Sequence, residues 1–519
     1  MQPISRRRAL QLGGLGLAST VIGGTGLVRG RPSRFDPAPG VALVEPPALR
    51  SAGGQLRVRL EAAEGRIRIA GRQATAFGYN GGLPGPTLHL QPGDRLRVLL
   101  VNRLSAPTNL HVHGLHVSPE GNGDNMFVTI EPGKSFDYDY QLPPDHPPGV
   151  YWYHPHLHGV TADQVFGGLY GAIIVSDPAA DPHQVPVTRE RVLVISDISL
   201  DGAGRIRPTS GIARIMGREG DLALVNGQTR PVMNARHGER ERWRIVNACA
   251  ARYLRLRLDG QQLQLLGIDS GRFAAPRDVD EVVLAPGNRA DLLVTTGRGT
   301  SSLRTLPYDR GEMMGMMGAS GGSDRRGMPG MGGGGGMNGG GGMNGGGGGS
   351  PATGNAGASL LATLAVGDKA VPALPPVPAQ PEPRDLRGGA VAGRRELTLA
   401  MGMGGGVTGL GGMRFTIDGK VFDPARTDQT VKVGTIEEWT FTNDSPMDHP
   451  LHLHVWPMQL IESGGQPLEP PSWQDVVNVP ARSNVKVRVA FDTFGGRTVY
   501  HCHILDHEDS GMMGVIEAR

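Results

Sequence analysis

The sequence predicts an all-β chain of three β-sandwich domains, and three observations carry that expectation. Short β-branched segments recur along the body, long amphipathic helical patterns are scarce, and one strand motif appears three times at wide spacing.

The first observation rests on segments such as Leu96–Val101, Ala172–Val175, Val192–Ile195 and Val485–Val489, bounded by Gly, Pro and Asp. β-branched side chains fit a pleated, half-buried surface, and the bounding residues turn the chain. The second is a matter of period: a helix on a core would repeat apolar residues every three or four positions, and few stretches do. The third compares Leu88–Asn102, Met233–Asn247 and Val431–Asn443. In each, a turn glycine (Gly93, Gly238, Gly434) is followed by an alternating strand and, nine residues on, by asparagine. The copies stand too far apart for a solenoid and suit three copies of one sandwich.

A chain of 519 residues also exceeds one ordinary domain. The expected division is an export segment and leader at 1–40, a first sandwich at 41–178, a second at 179–370, a Pro-rich linker at 371–393 and a third sandwich at 394–519. The second is interrupted at 311–358 by a Gly-rich tract carrying Met313, Met314, Met316, Met317, Met328, Met331, Met337 and Met343. That composition packs no core, and the tract reads as a loop insertion between two strands.

At the N-terminus, Arg6-Arg7-Arg8 precedes a weakly apolar, Gly-rich run to Val28. A basic start with a short apolar region is an export signal, and paired arginines point to the twin-arginine route, hence to a periplasmic or extracellular location. Glycines and polar Gln11, Ser19, Thr20 and Thr25 make the run a poor spanning helix, and nothing after it is apolar enough to span. The formal charge is +3, with basic and acidic residues interspersed. This gives no case for nucleic acid or an anionic membrane surface. A monomer is expected.

Of 16 histidines, twelve fall in four windows: His111-Val-His113-Gly-Leu-His116, His154-Pro-His156-Leu-His158, His449-Pro-Leu-His452-Leu-His454 and His501-Cys-His503-Ile-Leu-Asp-His507. Five His-x-His pairs result, where random placement gives roughly 0.5. On a strand, residues i and i+2 share a face, so each pair aims two imidazoles at one place. Four pairs, with 154/156 chosen over 156/158, supply eight imidazoles. That is too many for one metal and suits a cluster of three, placed between the first and last domains. Cys502, between His501 and His503, points to the opposite face and needs a second site. His449, His507 and Met512 lie at suitable positions, and two histidines, a thiolate and a weak methionine describe a blue-copper centre. The plain alternative, a buried thiol among core methionines, does not explain the flanking histidines. Cys249 reads as a small buried hydrophobe.

These windows resemble the four signature segments of three-domain multicopper oxidases, a family that includes laccases and bacterial cuprous oxidases. The resemblance covers nearly the whole chain apart from the Met/Gly tract. It implies cupredoxin-like Greek-key sandwiches and four copper ions. It also implies ligand sets: His449, Cys502, His507 and Met512 for type 1 copper; His111 and His452 for type 2; His113, His154 and His503 with His156, His454 and His501 for the type 3 pair. His116 and His158 fall outside these sets. The implied reaction takes one electron at a time from a small reducing substrate, a phenol or Cu(I), and reduces O₂ to water. Glu508 and Asp124 match the acids that deliver protons to the cluster.

The donor is less defined. Thioethers select Cu(I), so the Met tract suggests copper gathering and a role in copper tolerance; an incidental spacer is the plain alternative. Cuprous oxidases place a longer Met-rich insertion early in the third domain, where this chain has only Met401–Met413. The acid expected four residues before the type 1 histidine is replaced by Ser445. Met401, Met403, Asp444 and Met447 are candidate Cu(I)-site residues. Two non-catalytic readings stand beside the oxidase: a copper-sequestering protein, and a copper-free exported scaffold such as some divisome-associated relatives.

Overall fold

The computed structural model describes residues 35, 40–178, 181–311, 358–403 and 413–519. The expected export segment and almost all of the Met/Gly tract lie outside them.

The strands of the described residues form six sheets that pair into three sandwiches. The first sandwich joins a sheet ordered Arg72–Tyr79, Gln55–Ile69, Arg95–Asn102, Ser135–Gln141 to one ordered Ala48–Arg50, Thr87–Leu90, Gly171–Val175, Gly149–His154, His111–His113. The second and third each join a six-stranded to a five-stranded sheet with the same strand order. In each sandwich a long strand runs parallel to the motif strand predicted from the repeat: Gln55–Ile69 beside Arg95–Asn102, Arg189–Ile198 beside Arg240–Asn247, and Val391–Met403 beside Ile436–Asn443. Alternation makes these strands two-faced. Leu56, Val58 and Leu60 point into the first core while Arg57 and Arg59 face water.

The repeat has a common structural cause. Gly93, Gly238 and Gly434 all adopt positive φ, which the turn requires and Cβ would oppose. The three asparagines staple the loops that follow. Asn102 Nδ2 donates to the carbonyls of Ala106 and Ile130, Asn247 Nδ2 to Arg252 and Leu284, and Asn443 Nδ2 to Met447 and Val479. Each Oδ1 accepts from the amide two residues on. Buried backbone groups are thus satisfied identically in all three.

Three α-helices occur among the described residues: α1 (Thr161–Gly167), α2 (Gly211–Met216) and α3 (Leu505–Asp509). Each sandwich has its own apolar core. A further core around Trp152, Val165, Val194, Val246 and Leu505 fills the seam between the first two. The strand Val391–Met403 begins inside the segment read as linker, because Val391 already pairs with Ile436. The Pro-rich stretch before it lies against the second sandwich: Arg240 Nη1 donates to the Pro375 carbonyl and Gln380 Nε2 to that of His183. Strands Gly299–Leu306 and Ser359–Ala370, which bracket the Met/Gly tract, are antiparallel neighbours with Thr305 opposite Ser359.

Candidate metal centres

Two antiparallel pairings build the histidine cluster. His111–His113 pairs with Gly149–His154, setting His111 opposite His154. His449–Leu453 pairs with Gly496–Cys502, setting His452 opposite His501. The first and third sandwiches bring these edges together, so His111, His113, His154, His156, His452, His454, His501 and His503 meet in one place, none more than 2% exposed. Ring nitrogens converge there. Nε2 of His156 lies 2.9 Å from Nε2 of His501, His454 Nε2 lies 3.2 Å from His501 Nε2, and His111 Nε2 lies 3.3 Å from His452 Nε2.

The outward nitrogens are mostly accounted for. His111 Nδ1 is 2.8 Å from Asp124, His452 Nδ1 donates to the Asp475 carbonyl at 2.7 Å, and His154 Nδ1 to that of Pro155 at 2.8 Å. His113 is reversed: its Nε2 faces Asp475 Oδ1 at 3.0 Å and its Nδ1 faces His154 Nε2 at 3.4 Å. Burial pushes His111, His113, His452, His454 and His503 toward the neutral form, with His154 lowered to about 3 and His156 to about 4. Neutral rings whose outer nitrogens donate, as those of His452 and His154 do, present lone pairs inward, and a nest of such nitrogens suits a bound cation. Both nitrogens of His503 are buried without a protein partner. The donor set therefore fits metal ions that favour imidazole, copper among them.

On the other face of the same segment, Cys502 Sγ lies 3.3 Å from His449 Nδ1 and 3.8 Å from His507 Nδ1. Met512 is fully buried in the same core cluster, and its amide and carbonyl bond the backbones of His507 and Cys502. Burial pushes the Cys502 thiol well up, so a thiolate here requires a bound cation. The outer nitrogens are again capped, His449 Nε2 by Ser445 Oγ at 2.8 Å and His507 Nε2 by the Ile215 carbonyl at 2.9 Å. Phe415 stacks on the His507 ring at 4.3 Å. The serine that replaces the expected acid is thus hydrogen-bonded to the histidine. Sequence gave no sign of this, nor of Ile215, which is 292 residues from its partner.

Both predicted acids reach the cluster. Asp124 accepts from the Val112 amide at 3.1 Å, and burial raises its carboxyl to about 7. Glu508, on α3, lies 3.2 Å from His501 Nδ1 and 3.6 Å from His156 Nδ1. Burial alone would raise its carboxyl, but the imidazoles of His156 and His501 hold it below the usual range. His116 stays out of the cluster, bonded to the Val455 carbonyl and Thr493. His158 is exposed against Phe422. The four candidate Cu(I) residues divide: Asp444 is exposed, Met447 fully buried in the third core and Met401 half-buried against it. The Met403 side chain lies outside the described positions. Asp475, which touches the cluster, was not singled out by sequence, since no local pattern marks it.

Family models described as multicopper oxidase match residues 61–180, 195–302 and 400–519. A multicopper oxidase, mco, of Staphylococcus epidermidis is 26% identical over 472 residues, 89% of each chain. A cell division protein, FtsP, of Dickeya dadantii is 27% identical over 99% of each. Among solved structures, a multicopper oxidase from Campylobacter jejuni described as a metallo-oxidase is 30% identical, with a TM-score of 0.77 over 94% of this chain and 98% of that one.

Proposed function

Since the chain belongs to the multicopper oxidase family, we propose that it couples one-electron oxidations of a small reducing substrate to the four-electron reduction of O₂ to two waters. The observation that carries this reading is the segment His501-Cys502-His503, whose central side chain belongs to one centre and whose neighbours belong to the other.

In this reading His449, Cys502, His507 and Met512 hold type 1 copper, and His111 and His452 hold type 2. His113, His154 and His503 with His156, His454 and His501 hold the type 3 pair. Four bound copper ions supply the one-electron steps that four-electron chemistry must pool. The chain supplies the rest. Electrons arriving at the Cys502 thiolate have a covalent route of one residue to His501 and His503. Ser445 and the Ile215 carbonyl hold the outer nitrogens of His449 and His507, which keeps both Nδ1 atoms turned to the thiolate. Asp124 and Glu508 sit on outward nitrogens of cluster histidines, within reach to hold and pass the four protons that water formation consumes.

Phenols and Cu(I) are both donors in this reading; thioethers select Cu(I), so the methionines of the tract support it, and the tract begins beside the third sandwich. A Cβ on Gly311 would stand 2.1 Å from the Pro446 carbonyl, so the chain enters its Met/Gly tract pressed against Pro446 and Met447, close to His449. A role in copper tolerance follows from that donor. The N-terminal arginines support twin-arginine export, and no helix of the described residues is long and apolar enough to cross a membrane. A copper-free scaffold, which likeness to FtsP would suggest, has no need of twelve intact donors.

The test is colour and gas: copper-loaded protein should be blue and consume O₂ with a reductant, and Cys502→Ser should abolish both. A colourless loaded protein that consumes no O₂ would overturn the oxidase. For the donor, a chain lacking 311–349 should oxidise Cu(I) more slowly; an unchanged rate would remove the gathering role.

A further inference from the structure

Among its described residues the second sandwich gives no side chain to either centre, yet it reaches the cluster, most directly through Arg289. Arg289 is fully buried. Its fork meets both oxygens of Asp475, in the third sandwich, at 2.5 and 2.6 Å, and its Nε donates to the carbonyl of Val150, in the first, at 2.9 Å. Asp475 in turn touches two cluster histidines, His113 Nε2 through its carboxylate and His452 Nδ1 through its carbonyl. Asp269 ties the same corner, accepting from the amides of Arg289, Asp475 and Val476.

Two glycines are shaped to this contact. Gly114 follows His113 at φ +84°, and a Cβ there would stand 2.4 Å from Arg289 Nη2 and 2.8 Å from Asp475 Oδ2. A Cβ on Gly287 would stand 2.8 Å from His503 Nε2. The turn before Arg289 therefore lies directly on the cluster.

We infer that Arg289 is the positioning residue of the cluster: by locking Asp475 it holds His113 reversed, with Nε2 protonated outward and the Nδ1 lone pair inward. The inference rests on the copper reading above. A carboxylate on one imidazole nitrogen fixes the tautomer and leaves the other free to ligate. An isolated carboxylate could rotate away, but a bidentate guanidinium holds both oxygens in one plane. The pair also cancels charge, since a buried guanidinium without a partner beside bound cations would be strongly unfavourable. Assembly of the cluster then depends on docking of the second sandwich, whose described residues donate no ligand.

The test compares copper-loaded wild type with Arg289→Met, Arg289→Lys and Asp475→Asn. The control is Arg242→Met, another buried arginine, paired with Asp177 and Asp291 away from the cluster. Three readouts are taken: copper per chain under competition with a chelator, the EPR spectrum of the copper outside the blue centre, and thermal stability. Arg289→Met should hold cluster copper about 10–100-fold more weakly and change that EPR spectrum, with the blue absorption intact. Lys, which keeps the charge and loses the fork, should restore it only in part. Asp475→Asn should resemble Arg289→Met. Wild-type copper retention and EPR in Arg289→Met, or equal copper loss in Arg242→Met at matched stability, would overturn the inference. A wild type that binds copper only at Cys502 would instead overturn the cluster reading itself.

Discussion

His507 and Ile215 are joined across two sandwiches: the imidazole Nε2 donates to the backbone carbonyl at 2.9 Å, placing α2 over the thiolate centre. The contact is fastened on both sides. Arg310 donates to the carbonyls of Met216 and Gly217, and Arg218 pairs with buried Asp506, next to His507. A donor that must hydrogen-bond the His507 ring finds that nitrogen taken.

Loosening α2 should therefore favour bulky donors. Ser210 Oγ caps this helix by accepting from the Ala213 amide. Ser210→Ala removes about 1 kcal/mol of capping, equivalent to about a fivefold rise in the frayed population. Turnover of a bulky phenol should rise by up to that factor while Cu(I) oxidation stays near wild type. Steady-state kinetics on both donors checks this, and a parallel change in both would count against the covering role.

The two acids should act on the O₂ side alone. Asp124→Asn and Glu508→Gln should each slow O₂ consumption by about 10²–10⁴-fold. Anaerobic bleaching of the blue band by a reductant should keep its wild-type rate. Stopped-flow mixing separates the half-reactions.

Met512 lies buried in the core cluster that holds Cys502. Met512→Leu keeps the volume and removes the thioether proposed as a weak ligand, so the potential of the blue centre should rise. A redox titration followed by absorbance reads the shift, and a lower potential would argue against axial ligation.

Acid should weaken the fold through His146. Its Nε2 accepts from the His116 amide and its Nδ1 donates to the Pro147 carbonyl, so the neutral ring uses both nitrogens. Burial lowers it from 6.5 to about 3. Because the unfolded ring binds a proton near 6.5 and the folded ring does not, this stabilisation is complete above pH 6.5 and declines toward pH 3. Between pH 7 and pH 5 the wild type should lose about 2 kcal/mol more than His146→Gln. Denaturant unfolding at the two values measures the difference.

The convergence of histidines on one side and of Cys502 on the other was legible because strand period is two: His-x-His pairs and the Cys between them dictate their own faces before any tertiary contact is known. The repeat was legible because each sandwich needs the same glycine turn and asparagine staple. The supports around the centres were not. Asp475 meets His113 across 362 positions, and Ile215 meets His507 by a backbone carbonyl, which no residue type announces. Ser445 looked like a missing acid and proves to be a hydrogen-bonding partner of His449, since a hydroxyl can cap an imidazole as an acid would. The Pro-rich stretch read as a spacer because proline lacks a donor, yet the Pro375 carbonyl still accepts from Arg240.

The Met/Gly tract leaves and rejoins one sheet at neighbouring strand ends, with Thr305 opposite Ser359. Such a closure is nearly indifferent to length: doubling the intervening chain adds only about 0.6 kcal/mol of closure entropy. Insertions and deletions can accumulate there without touching a ligand, a staple or the arginine clamp. In the proposed function, what gathers the donor could therefore be rewritten without disturbing the residues that serve O₂.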